Sequence, residues 1–167
     1  SLLGMLIEAV SGRSYNNYVT ENIVKALDLQ NTGPEYTAEI DGSLVTGYTR
    51  LESDRTRLPI AQIDTKSMSA ATGFYSTAQD LCTYFTAQFV GSEKLLDDES
   101  KKEMQRVQWH AKTPGQGNHE DYGLGLELEY LKDRKTISHG GGFPGHITKS
   151  IADPKDELVV AVLTNCL

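Results

Sequence analysis

Cysteine is nearly missing from this chain: Cys82 and Cys166 are the only two. They leave no room for a disulfide scaffold, form no C-x-x-C pair and speak against a four-ligand structural zinc. Basic residues are also in short supply, with 16 Lys+Arg against 23 Asp+Glu and a net charge of −7. An acidic chain repels phosphate, which argues against a general nucleic-acid binder or a partner of anionic membranes. Long apolar runs are absent too. The longest, 158-LVVAVL-163, is far below the ~20 residues that span a bilayer. The first residues show no basic start and no cleavage-site pattern, so the compartment is not readable from that end. No internal repeat and no low-complexity tract occurs.

What is present suits one soluble globular domain: 167 residues, 38% apolar and 23% charged. Leu2, Leu3, Leu6, Ile7 and Val10 mark one face of a helix that stops at Gly12. Ser14 caps a second helix with Tyr15, Tyr18, Val19, Ile23 and Leu27 on its buried side. The chain opens in mid-helix and closes in a strand-like run, so the expectation is a piece of something larger. A compact domain with tied-down ends is the alternative.

Residues 35–72 are irregular and read as long loops with one or two short strands around 44-LVTGYT-49. They are either a cleft wall or a plain surface excursion. Ser76 and Gln79 form a capping box that starts a helix carrying Leu81, Tyr84, Phe85 and Phe89, ended by Gly91. Asp97 or Asp98 caps another, with Met104 and Val107. The polar stretch 110–121 reads as a mobile loop. Then 122-YGLGLELEY-130 alternates as a half-buried strand, followed by strands at 137–139, 147–151 and 158–163. Short connections make these a meander. The fold class is α+β: helices and long loops followed by a C-terminal antiparallel β-meander.

The most unusual segment is 138-SHGGGFPGH-146. Three consecutive glycines are avoided in ordinary strands and tolerated where something must approach the backbone. His139, just before them, can titrate near neutral pH. A structural bulge or tight turn is the plain account. The oxyanion motif of lipase-type α/β-hydrolases fails, because no G-x-S-x-G follows. A phosphate loop lacks its G-K-[ST] ending. The remaining reading is an oxyanion and substrate-binding strand that faces a serine supplied from elsewhere.

The segments 2-LLGMLIEAVSG-12, 73-GFYSTAQDL-81, 122-YGLGLE-127, 139-HGGGFPGH-146 and 159-VVAVLTN-165, in that order, decide for the last reading. Together they resemble the serine β-lactamase-like superfamily: class C β-lactamases, penicillin-binding DD-peptidases and related esterases. The resemblance implies that residues 1–167 are the C-terminal part of one β-lactamase-like domain and an incomplete β-lactamase/transpeptidase-like fold. Within it, 1–120 would be helical and loop region and 121–167 antiparallel strands. It implies acyl transfer through an acyl-serine, with an S-x-x-K serine as nucleophile and a Y-x-N motif assisting. His139-Gly140-Gly141 matches the family's H-x-G triad. His139 would supply a donor or positive field, and the Gly142 N–H half of the oxyanion hole, making these two the catalytic candidates. Gly140, Gly141 and His146 are the substrate-binding candidates.

The departures are as informative. No serine in the chain begins S-x-x-K. Tyr15-Asn16-Asn17 spells Y-x-N but lies after the LLG segment, where the family's motif comes before it, and is read as coincidence. Gly140 lacks the hydroxyl with which the family's β-lactam and DD-peptide enzymes bind a substrate carboxylate, which favours an esterase or amidase with a neutral acyl substrate. The implied substrate is a small ester, amide or β-lactam-like molecule acted on by a longer protein, the 167 residues alone being inactive. A non-catalytic cell-wall or protein-binding module of the same fold is the alternative. No cofactor and no metal is called for: His110, His119 and His146 show no H-E-x-x-H spacing and are read as solvated loop residues, His146 alternatively as lining the cleft beside His139 or capping the strand edge. Tyr48 and Tyr122 are read as core aromatics at strand starts with the cleft as alternative, and Glu127, Glu129 and Asp133 as a solvated strand face. A dimer through an exposed sheet edge is expected. The resemblance points to a bacterial envelope, periplasmic or extracellular setting and leaves the cytoplasm open.

Overall fold

A computed structural model describes residues 2–112 and 119–166. The chain divides into two compact units. One comprises Ser1–Asp80, Gly141–Thr148 and Leu163–Leu167, the other Leu81–Gly140 and Lys149–Val162. Helices precede a six-stranded sheet, the α+β arrangement expected.

In the first unit, α1 (Leu2–Ser11) ends in the left-handed turn at Gly12 (φ 67°). The Ser14 hydroxyl accepts from Asn17 N–H at 3.3 Å and caps α2 (Tyr15–Val19). A π-helical turn, Thr20–Val24, follows, and its longer repeat brings Val24 rather than Ile23 into the interior beside Val19, Leu27 and Leu29. The apolar stripe of α1 is a correction to the sequence reading. Leu2, Leu3, Leu6 and Val10 are exposed, and Gly4 is the buried residue. Gly4 lies against Ala70 and Tyr15, so closely that a Cβ there would stand 2.5 Å from the Ala70 Cβ. The helix therefore approaches its neighbours along the face of Gly4, Ile7 and Ser11, and its leucines face outward.

Residues 35–72 hold two short strands, as expected. β1 (Gly47–Tyr48) pairs antiparallel with β2 (Pro59–Ile60), and α3 (Ser69–Thr72) closes the segment. The next helix, α4 (Ala78–Thr86), starts one residue later than the capping box predicts. Its cap is Thr77, whose hydroxyl accepts from Asp80 N–H at 3.2 Å. Ser76 instead meets the Thr32 hydroxyl at 2.7 Å. Buried Asp80 accepts from Asn31 N–H and the Thr32 hydroxyl, both at 2.8 Å. The helix also stops short of Gly91, tightening into turns after Thr86.

In the second unit Asp97, not Asp98, caps α5 (Asp98–Met104), accepting from Ser100 N–H at 2.7 Å. The polar stretch read as a loop is flanked by strands: β3 (Trp109–Lys112) pairs antiparallel with β4 (His119–Tyr122). Residues 113–118 of that expected loop lie outside the described residues. The alternating run 122–130 is likewise not one strand. Gly125 (φ 73°) turns the chain, so that β4 ends at Tyr122 and β5 (Glu127–Leu131) begins two residues after it. β6 (Arg134–Phe143), β7 (His146–Asp153) and β8 (Leu158–Thr164) follow, and the sheet order is β3-β4-β5-β6-β7-β8. β8 is an edge strand that exposes Leu158, Val160 and Val162. Among the described residues no helix is long and apolar enough to cross a membrane.

Period-two alternation places Leu128 opposite Ile137 on one face of the β5–β6 pair and Glu127 opposite Ser138 on the other. On the apolar face, Leu126, Leu128, Ile137 and Ala152 pack with Phe85 and Phe89. On the polar face Lys149 Nζ donates to Glu127 at 2.5 Å, Glu129 at 2.6 Å and the Ser138 hydroxyl at 3.0 Å. Ser138 is fully buried. Partial burial opposes the charge on Glu127, but hydrogen bonding and attraction from Lys149, with help from Gly140 N–H and His139, hold its carboxyl below the usual range. The Lys149 hydrogen bond outweighs burial at Glu129 with the same result. Lys149 in turn is raised, its two carboxylate partners prevailing over desolvation.

Three variants have expected outcomes. Leu128→Ala empties a fully buried site and costs about 2–5 kcal/mol in urea unfolding. Leu131→Ala, on the same strand but exposed, changes stability by less than about 0.5 kcal/mol. Lys149→Met removes two partly exposed ion pairs, each worth up to about 1 kcal/mol. Because the glutamate values are depressed on folding, their contribution is complete above the ordinary value of about 4.3 and is lost as pH falls below it. Because the lysine value is raised, its share is complete below about 10.4 and is lost as pH rises further. The stability gap between wild type and Lys149→Met is therefore flat across neutral pH and narrows in acid; a gap that does not begin to narrow as pH falls below about 4.3 contradicts the assignment.

Candidate functional site

His139 and Gly140 belong to the second unit, where β6 presents the imidazole to solvent. His139 Nδ1 lies 2.6 Å from the Gly140 carbonyl oxygen and Nε2 lies 3.1 Å from the Tyr122 Oη. Tyr122 is the last residue of β4, placed opposite Trp109 on β3 and opposite Glu127 on β5. Its ring meets the imidazole edge-on, with centroids 6.2 Å apart at 70°, and meets Trp109 at 6.4 Å and 56°. Partial burial, then the negative charge of Glu127, lifts the phenol above the usual tyrosine range. The Gly140 N–H donates to Glu127 Oε1 at 3.3 Å. The carboxylate that binds Lys149 thus also holds the backbone next to His139.

Gly141, Gly142 and His146 belong to the first unit. Gly141 and Gly142 are exposed, but their lack of a side chain has different reasons. A Cβ on Gly141 would stand 2.7 Å from the Thr148 hydroxyl, so packing demands glycine there. A Cβ on Gly142 would meet nothing within 4 Å; the strand has open space beside it. His146 opens β7, half-buried, with Nε2 2.7 Å from where a Cβ of Gly47 would be. It lies over β1, whose Tyr48 N–H donates to the Asn165 carbonyl at 3.0 Å.

The other histidines and the Y-x-N string fall elsewhere. His110 Nδ1 meets Asp121 at 2.6 Å across the β3–β4 pair, and His119 opens β4. Asn16 donates to Glu35 at 2.5 Å and accepts from the Ser69 hydroxyl at 3.3 Å, which makes it a tie between helices and loop. Three residues differ from the sequence reading. Glu127 and Glu129 are not a plain solvated face but bind Lys149, and Tyr122 is the partner of His139. The acidic alternation of Glu127 and Glu129 was the available signal, but their cation lies 20 and more residues away on β7.

Chemically, this stretch of β6 offers a titratable ring held at both nitrogens and, immediately after it, exposed glycine backbone with no side chain to block approach. It offers no serine–lysine pair of the S-x-x-K kind.

Comparison with known proteins extends this picture. No curated protein matches the chain. A penicillin-binding protein homologue from Pyrococcus abyssi, described as octameric, is 24% identical with a TM-score of 0.78, over 98% of this chain and 36% of its own. A D-stereospecific amidohydrolase from Streptomyces sp. is 25% identical with a TM-score of 0.79, over 98% of this chain and 47% of its own. The D-amino acid amidase from Ochrobactrum anthropi SV3, in complex with D-phenylalanine, is 23% identical with a TM-score of 0.81, over 99% and 49%. The chain thus spans between a third and a half of the length of these structures. They share the fold of this chain over nearly its whole length. The family model described as Beta-lactamase matches residues 1–167, and the chain belongs to the Beta-lactamase family.

Proposed function

We propose that this chain carries the H-x-G wall of a serine acyl hydrolase, which acts with a nucleophilic serine from outside these 167 residues. The observation that carries the reading is the stretch His139–Gly142 on β6: a histidine fixed at both nitrogens, followed by glycines with open space at Gly142, in a chain of the Beta-lactamase family. In the proposed reaction a serine attacks an acyl carbon. The Gly142 N–H is one of two donors that receive the negative charge developing on the oxygen, and the acyl-serine is then released by water. Gly140 and Gly141 form the floor along which the acyl group lies.

The proposed substrate is an ester or amide without a carboxylate next to the scissile bond. Gly140 has no side-chain donor for such a carboxylate, and its N–H already serves Glu127. The ion network behind it holds two glutamates against one lysine, which leaves one negative charge in excess. Two of the similar structures are an amidohydrolase and an amidase by name, which supports an amide.

The 167 residues alone are expected to turn over neither nitrophenyl esters nor nitrocefin. A polypeptide that joins them to an S-x-x-K segment is expected to be labelled by a fluorophosphonate probe and to hydrolyse nitrophenyl esters. There His139→Ala lowers kcat/KM by about 10²-fold or more, the scale of a lost proton-handling group. Unchanged kinetics in that variant removes His139 from the site. Absence of labelling turns the reading toward a non-catalytic binding module.

A further inference from the structure

We infer that Tyr122 is a positioning residue for His139: the Gly140 carbonyl holds the neutral imidazole in the Nδ1–H form, and Tyr122 donates its phenolic proton to the bare Nε2 and fixes the ring from that side. The donors and acceptors around the ring leave one arrangement. Nδ1 lies 2.6 Å from the Gly140 carbonyl, which can only accept, so Nδ1 carries a proton in either charge state of the ring. The neutral ring then has a bare lone pair at Nε2, and the atom 3.1 Å from it is the Tyr122 Oη. A phenol can donate as well as accept, so the two bonds are compatible in one way only: Tyr122 donates to Nε2 and Nδ1 donates to Gly140.

The scaffold holds the phenol where this requires it. Trp109 flanks its ring on β3, Glu127 faces it on β5, and the imidazole edge meets it from β6. The charged groups around the pair are Glu127, which acts on both Tyr122 and His139, and Lys149 and Glu129, which bind to and beside Glu127. Protonation of His139 reverses the contact. Nε2–H then donates to the phenolic oxygen, and the phenol proton turns to whatever lies beyond. Tyr122 thus presents an acceptor outward while the ring is neutral and a donor once it is charged, with no movement of backbone. Any catalytic meaning of this relay rests on the proposed hydrolase reading; the proton assignment itself does not.

The test needs no substrate. The 167-residue chain, labelled with 15N in its histidines, is titrated by NMR, with His139→Gln to identify the ring. The expected spectrum above the His139 titration has Nδ1 protonated and Nε2 bare. A neutral ring with its proton on Nε2 overturns the inference outright. In Tyr122→Phe the Nε2 resonance of the neutral ring is expected to move toward the position of an unbonded imidazole nitrogen, while Nδ1 keeps its proton. An unmoved Nε2 resonance overturns the role of Tyr122. Should Tyr122→Phe fail to fold, the wild-type spectrum decides by itself. A correct tautomer in a protein whose longer form takes no serine probe would sink the hydrolase reading and leave this one standing.

Discussion

The ammonium of Lys149, shared by Glu127, Glu129 and the buried Ser138 hydroxyl, ties β5, β6 and β7 together at the residue before His139. β5 and β6 alternate, with Leu128 and Ile137 toward Phe85 and Phe89 and with Glu127 and Ser138 on the reverse. A slip of one residue would drive two carboxylates into the aromatic core and leave Lys149 without partners. Each face therefore penalises the register errors that the other would allow. His139 follows Ser138 directly, and the Gly140 N–H is bonded to Glu127. Ser138, which Lys149 binds, and the exposed ring are consecutive residues of one strand, so the placement of the first is handed to the second by covalent geometry.

That arrangement also explains why a run of glycines can serve at all. A glycine strand is conformationally loose and holds no shape by itself. Here it is restrained before it begins, by the Glu127 contact at Gly140, and it needs to be small at Gly141 because the Thr148 hydroxyl occupies the space. Gly142 has no such steric reason. A position that is glycine without a packing need, in open space, is where approach by another molecule is the simplest remaining cause.

Local signals in the sequence were read well where the physics is local. Ser14 and Asp97 cap their helices because a hydroxyl or carboxylate three residues ahead of an amide needs nothing else to find it. The Ser76 cap failed because Thr32, 44 residues away, offers its hydroxyl a better partner, and Thr77 takes over the helix start. The stripe on α1 was real, but periodicity shows that a face is apolar, not what covers it; Gly4 and Ile7 make the contact instead. The alternation through 122–130 concealed a turn at Gly125. His139 and its glycines were legible from composition alone. Their partners were not, because Tyr122, Glu127 and Lys149 meet them only through the register of four strands.

The balance of charge at this strand has a chemical consequence for any acyl transfer it supports. Developing negative charge on an oxygen is stabilised best by donors that are already fixed and need not reorganise. Backbone amides meet that requirement, whereas a flexible side-chain cation would need to be held in place. The Lys149 ammonium is committed to two carboxylates, and so it adds little free positive field. The imidazole is tied at both nitrogens, one to a carbonyl and one to a phenol. What remains here is a phenol whose polarity follows the ring's charge and open space beside Gly142. Such a surface discriminates by shape and hydrogen bonding rather than by attraction of an anion. This is the physical reason to look for neutral acyl compounds before carboxylate-bearing ones.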